Sequence, residues 1–310
     1  MKIPQFFNSS VFVLLCLFCS ASLAAPVNID TGNYIGQYAL QGAWHTGNNS
    51  FDLPEGTTTM NIGPYSSVQI VVDASGAVST NNPDSVSVSG NTVSLLTVPI
   101  LIDPGAYLGT FNIERAASNS WVSGLQSFNL VPDQTYRVAP GAYGNIFFEV
   151  DASGNVISQD PVSAISFGNT LTFQTASVII DPDLYTGSYA LDRASAWVTG
   201  ASTLDLVVDQ RFRLAPGAAG HILFDVDSAG DVSTQHPDSA LAAGNSLTLL
   251  TAPVVIDPGL YSGQFALDRA SSWLSGIQTF DLVRAQMWRV APGDFGHMFF
   301  TLDAAGLVST

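Results

Sequence analysis

Apolar residues recur at every second position through most of this chain. Phe128-Asn129-Leu130, Leu204-Asp205-Leu206 and Phe280-Asp281-Leu282 alternate in this way, as do Tyr136-Arg137-Val138, Phe212-Arg213-Leu214 and Trp288-Arg289-Val290. A period of two puts alternate side chains on opposite faces of an extended strand, whereas a helix repeats its apolar positions at three and four. Between such runs lie Asp73-Ala74-Ser75-Gly76 and its counterparts ending at Gly154, Gly230 and Gly306. An Asp that opens a turn, with a Gly three residues on to take a left-handed backbone, is the chemistry of a tight connection between antiparallel strands. The pattern predicts roughly six strands per stretch of this kind and no helix after residue 25.

The stretches are copies of one another. Ile29-Asp30 followed by Tyr34-Ile35-Gly36-Gln37-Tyr38 returns at Asp103, Asp181 and Asp257, at intervals of 73, 78 and 76 residues. Each copy then carries a tryptophan (Trp44, Trp121, Trp197, Trp273) and, in the last three copies, an aromatic-Arg-apolar-Ala-Pro-Gly run ending at Gly141, Gly217 and Gly293. A fixed period of this kind marks a tandem array, and it exceeds the roughly 40–50 residues of common propeller blades. The predicted fold is all-β: four tandem antiparallel β-sandwich-like modules of one repeat family, the last incomplete, preceded by a signal peptide. The predicted boundaries are 1–24 for the signal peptide, then 25–97, 98–175, 176–251 and 252–310. The junctions, such as Thr175-Ala176-Ser177-Val178-Ile179-Ile180, are apolar and extended, which predicts a stiff succession of modules. The fourth copy stops at Val308-Ser309-Thr310, where the others continue into a final strand, and so leaves a sheet edge open.

Composition narrows the setting. Lys2, the apolar run Val11 to Phe18 and the small residues Ser22-Leu23-Ala24-Ala25 have the layout of a secretory signal peptide, with cleavage expected after Ala24. Both cysteines, Cys16 and Cys19, fall in that segment, so the exported chain is predicted to be thiol-free. Small secreted eukaryotic modules are usually stapled by disulfides, which favours a bacterial cell-surface, periplasmic or extracellular protein. Lys2 is also the sole lysine, leaving eight arginines against 25 acids. Nucleic acids and anionic lipid both require basic clusters, so neither is an expected partner, and no second apolar run is long enough to span a bilayer.

Candidate chemistry is sparse. Trp44, Trp121, Trp197 and Trp273 are the candidate binding residues, as a row of sugar-stacking platforms, although one packed core tryptophan per sandwich is the commoner arrangement. Arg115, Arg193 and Arg269 precede the tryptophans, while the first copy has Gly42 there. A cation over an indole or a local ion pair accounts for them. Arg137, Arg213 and Arg289 are expected to pair across strands with Asn129, Asp205 and Asp281. No cofactor is expected. Calcium is the one metal the acids suggest, yet each turn offers a single carboxylate, and the Asp-Pro pairs at 103, 181 and 257 read as turn openers. His45 and His236 each occur in one copy, and no catalytic motif accompanies them. A catalytic site needs an asymmetric cluster of roles, and repetition works against one. The chain resembles, in general form, bacterial tandem β-sandwich surface proteins. The expected function is a secreted, non-enzymatic structural or adhesive protein. Its partners would be glycans, cell-surface components or copies of itself joined through the open edge of the fourth module. The alternative is a carbohydrate-binding array or an accessory region of a secreted hydrolase.

Overall fold

The computed structural model describes residues 24–116, 120–293 and 296–310. The expected signal peptide lies outside the described residues, Ala24 excepted. Every regular element among the described residues is a strand, and the strands form separate sheets, two to each copy of the repeat.

The third copy shows the plan. One sheet runs, edge to edge, Ser202–Val207, Thr175–Asp181, Ser246–Leu249, Ala240–Ala243; the other runs Tyr189–Leu191, Gln210–Pro216, Ile222–Val226, Val232–Thr234. The period-two pattern becomes burial directly. Phe212, Leu214, Ile222, Phe224 and Val226 face inward from one sheet and meet Val178, Ile180, Leu247 and Leu249 from the other, each of them buried. Each such side chain is worth roughly 1.5–3 kcal/mol relative to exposure. The rings of Phe212 and Phe224 lie 5.9 Å apart, and those of Tyr136 and Phe148 in the second copy are stacked at 5.7 Å.

One pairing departs from the antiparallel rule. The first and last strands of a copy lie side by side and parallel, with Ile180 opposite Leu247, Ile102 opposite Leu171 and Ile29 opposite Val93. Parallel neighbours need a long crossover, and here the whole second sheet supplies it. Alternation along a strand carries no information about direction, so the sequence pattern is silent on this point. The third copy has eight strands against the roughly six expected from periodicity. The surplus comes from three-residue strands such as Val232–Thr234, too short to show a period.

The turns form as their residues dictate. Asp227 Oδ1 accepts the N–H groups of Ala229 (2.9 Å) and Asp231 (2.8 Å), and Gly230 sits at φ 86°. A Cβ on Gly230 would lie 2.6 Å from the Ala176 side chain, so the glycine also lets the turn rest on the first strand. The Asp-Pro openers behave as expected: Asp103 accepts from the N–H of Gly105, Asp181 from that of Asp183 and Asp257 from that of Gly259.

The sequence reaches Thr310 before the positions of Ala240–Ala243 and Ser246–Leu249 recur, and the first sheet of the fourth copy pairs Thr251–Ile256 with Gln278–Val283.

The hairpin acids give a prediction. The Ser75 hydroxyl, 2.6 Å from Asp73, and the turn N–H groups favour the Asp73 carboxylate and hold it below the ordinary aspartate range. The Asn155 side chain and N–H do the same for Asp151. A depressed folded-state value contributes stability that is complete above the unfolded value and is lost as pH falls through the folded one. Carboxyl-carbon NMR titration is expected to show both residues protonating below the ordinary aspartate value. Ordinary midpoints would remove the turn bonds from the solution structure.

Candidate functional site

The densest polar chemistry lies where one copy meets the next, and the same residues build all three joints. In the Tyr-x-Gly-x-aromatic segment the residue after the glycine donates its N–H to an arginine carbonyl of the following copy. The pairs are Gln37 to Arg115 (2.5 Å), Thr110 to Arg193 (2.6 Å) and Ser188 to Arg269 (2.8 Å). The glycine permits that approach: a Cβ on Gly36 would lie 2.6 Å from the Arg115 carbonyl, and one on Gly109 would lie 2.7 Å from Ala194 Cα. The arginines turn their carbonyls toward the preceding copy by taking left-handed conformations, with φ of 56°, 64° and 58°.

The same arginines then fold back over the tryptophan of the preceding copy. The guanidinium of Arg115 lies 4.3 Å from the Trp44 ring centre, that of Arg193 4.8 Å from Trp121 and that of Arg269 4.5 Å from Trp197. The cation over an indole is thus present, and it links neighbouring copies rather than residues of one copy. The expectation of core tryptophans is corrected. Trp44, Trp197 and Trp273 are 38 %, 39 % and 41 % exposed, and Trp121 is also partly exposed. They sit at a sheet margin, held by short pairings such as Tyr189 with Val198, where one ring face can meet the next copy.

Beneath this contact lies an aromatic plug. Tyr34, Tyr107 and Tyr185 are each 2 % exposed, and burial pushes their phenols well above the ordinary range. The long strand of the next copy supplies the cover: Trp288 lies 5.6 Å from Tyr185 between ring centres. Alongside runs a buried amide. Gln134, Gln210 and Gln286 donate from Nε2 to Ser85, Ser163 and Ser239 of the preceding copy at 2.9, 2.9 and 2.8 Å. The Oε1 atoms of Gln210 and Gln286 accept the N–H of Asn145 (2.6 Å) and His221 (2.7 Å).

The strand arginines pair differently from the expectation. Arg137, Arg213 and Arg289 reach Glu114 (2.7 Å), Asp192 (3.2 Å) and Asp268 (3.2 Å), not Asn129, Asp205 and Asp281. The acid beside each turn arginine projects toward the long strand of its own copy, which brings it within range first. These half-exposed pairs line open grooves at the joints. One of about 590 Å³ is bounded by Thr110 of the second copy and Asp192, Trp197 and Arg213 of the third. A similar one of about 610 Å³ is bounded by Ser188, Asp268, Trp273 and His297. Among the described residues no group of three or more His, Cys, Asp or Glu is placed to hold a metal ion. His45 lies against Phe51, 4.9 Å between ring centres, and His236 against His221 at 5.8 Å, so the two single-copy histidines stand apart from the grooves.

The joint glutamines and serines are the residues that sequence reasoning missed. Their signal was present: a glutamine two places before the aromatic in copies two to four, replaced by Gly56 in the first, in step with the exchange of arginine for Gly42.

Fold and joints together define an all-β tandem-repeat protein of serial sandwich units, and no helix among the described residues is long and apolar enough to cross a membrane. No known protein family and no curated protein matches the chain. Among solved structures it is similar to the pilus adhesin SpaC from Lactobacillus rhamnosus GG, at 13 % identity and a TM-score of 0.21, over 73 % of this chain and 42 % of that one. The open conformation of the same adhesin matches at 13 % identity and a TM-score of 0.19, over 73 % and 43 %. The chain therefore spans less than half the length of that adhesin, and a likeness at this level carries no weight for function.

Replacing Gln210 with Ala leaves the Asn145 N–H and the Ser163 hydroxyl without their buried partner. It is expected to cost roughly 1–3 kcal/mol in urea unfolding. Gln126→Ala, whose amide bonds locally to Ser123, should leave the curve unchanged. Coincident curves for both variants would show that the buried amide does not hold the joint.

Proposed function

We propose that this is a secreted, non-enzymatic structural or adhesive protein of the bacterial surface or extracellular space, with the copies bounded at 25–97, 98–175, 176–251 and 252–310 as its serial units. The observation that carries this reading is the joint. A backbone bond, a cation on an indole and a buried amide recur between successive copies. Contacts of that kind fix one copy on the next and turn repetition into reach. The grooves at the joints offer repeated weak contact surfaces, and linked weak sites gain avidity through effective concentration. They are made of repeat residues, which speaks against an asymmetric set of catalytic roles. Secretion rests on the leader pattern in the sequence.

A second reading has one specific observation in its favour. The tryptophans are partly exposed beside hydroxyl and ion-pair groups, a lining suited to a neutral sugar. A carbohydrate-binding array would use them as platforms.

Glycan-array and whole-cell binding of the exported chain tests both readings. Binding to at least one glycan class or cell surface is expected, steeper than for a single site. If Trp121→Ala with Trp197→Ala abolishes glycan retention while the melting curve holds, the carbohydrate-binding reading prevails. Background signal on glycans and cells alike, with no self-association, would remove the adhesive and assembly forms together.

A further inference from the structure

In the first three copies the chain enters and leaves through neighbouring strands. The first and last strands of each lie parallel and side by side, and they are the two inner strands of a four-stranded sheet. Parallel neighbours place the start of one strand and the end of the other at opposite ends of the pair. A pull along the chain therefore slides Ala25–Asp30 against Thr92–Leu95, Val98–Asp103 against Thr170–Phe173 and Thr175–Asp181 against Ser246–Leu249. Sliding loads every bond of a pair at once, whereas peeling loads them one at a time. Further bonds lie across the same pairs. Asn28, Leu101 and Ile179 donate their N–H groups to the carbonyls of Asn91, Asn169 and Asn245 at 2.8, 2.9 and 2.9 Å. The side chains of Asn169 and Asn245 donate back to the carbonyls of Pro99 and Ser177, both at 2.9 Å. The inward side chains of the pairs, Ile29 with Val93, Ile102 with Leu171 and Ile180 with Leu247, are all buried, which shields that side of the ladder from water.

Tension would also pass from copy to copy without slack. One residue, Gln174, separates Thr170–Phe173 from Thr175–Asp181, and one, Leu250, separates Ser246–Leu249 from Thr251–Ile256. Both are pinned. Gln174 donates its N–H to the Ser163 carbonyl (2.8 Å) and accepts the Val208 N–H (3.0 Å). Leu250 donates to the Ser239 carbonyl (2.9 Å) and accepts the Arg284 N–H (2.9 Å). We infer that the array is a tension-bearing tether, in which the parallel pair of first and last strands is the clamp that resists extension of a copy. This adds a mechanical function to the structural or adhesive reading. Strand order and hydrogen bonds alone carry it, so a negative glycan or cell result leaves it standing.

Residues 25–310 contain no cysteine, so a pair of introduced cysteines sets where force is applied to the exported chain. Pro26→Cys with Leu96→Cys loads the first copy across opposite ends of its strand pair, and Asn33→Cys with Leu96→Cys loads the same pair from one end. All three positions are exposed, and the register from Asn28 with Thr92 to Asp30 with Ser94 is left untouched. Single-molecule pulling at one loading rate is expected to rupture the first variant at the higher force. Equal forces, or the reverse order, overturn the inference. Forced unfolding follows the unfolding rate, so the clamp bonds should register there. With the chain held by its ends, Asn169→Ala together with Asn245→Ala is expected to raise the unfolding rate of two copies roughly 2–10-fold, the worth of one such bond in each. Val232→Ala, which trims a buried side chain of the other sheet, should lower the melting temperature and leave the forced rate unchanged. An unchanged rate in the asparagine variant, or a rate that tracks melting temperature in both, overturns the inference. Should a cysteine pair disturb folding, the unaltered chain still decides. The intervals of 73, 78 and 76 residues are expected to give discrete releases of at most roughly 260–280 Å each, at about 3.6 Å per residue, and gradual lengthening overturns the clamp.

Discussion

The constraint on which this structure depends is the close approach of one copy's backbone to a glycine of the copy before it. With a side chain at Gly36 or Gly109 the arginine turn would be held away, and the N–H of Gln37 or Thr110 would lose its acceptor. Everything else in the joint is arranged around that contact. The backbone bond contributes about 0.5–1.5 kcal/mol and a part-exposed cation over an indole about 0.5–1 kcal/mol. Neither is large. The buried glutamine works through the opposite sign: made, its bonds add little, but broken they leave polar groups stranded at a cost of roughly 1–3 kcal/mol. The joint is thus better at forbidding the wrong arrangement than at adding stability, which is what a serial array needs if each copy is to sit like the last.

Such an array behaves as a one-dimensional system in which each unit answers to its neighbours. Every interior copy has a partner on both sides, and its sequence carries both halves of the joint: the glycine and tryptophan that receive, the arginine, glutamine and aromatic that dock. The first copy differs at all three docking positions together: Gly42 stands where the others have arginine, Gly56 where they have glutamine and Thr58 where they have Tyr136, Phe212 or Trp288.

Most of the fold was legible in the sequence because its determinants are local. Alternation at Phe212-Arg213-Leu214 and the turn at Asp227 to Gly230 fix strand and hairpin without reference to anything distant. What was illegible is relational. The tryptophans recur once per copy, which is equally consistent with a core position and with a joint. Only the arrangement of copies places Arg193 on Trp121 of its neighbour rather than on Trp197 of its own copy, which belongs to the next joint. The acid partners of Arg137, Arg213 and Arg289 were misplaced for a related reason. Strand order, not strand pattern, decides which neighbouring side chain is nearest.

The arginines carry the argument one step further, toward ligand chemistry. Arg115, Arg193 and Arg269 lie on tryptophans, and Arg137, Arg213 and Arg289 on acids of their own copies. Arg211 pairs with Asp225 at 2.8 Å, and Arg284 donates to the Thr251 carbonyl at 2.8 Å. Each of the eight is thereby committed to the fold, in a chain whose formal net charge is −16. An acidic ligand approaching the grooves would meet a repelling field and would have to break a structural contact to obtain a cation. A neutral, hydroxyl-rich ligand faces neither cost: it can accept from guanidinium N–H groups that remain in place and donate to Asp192 or Asp268. If the joint grooves take glycans as proposed, the charge distribution favours neutral ones over acidic ones.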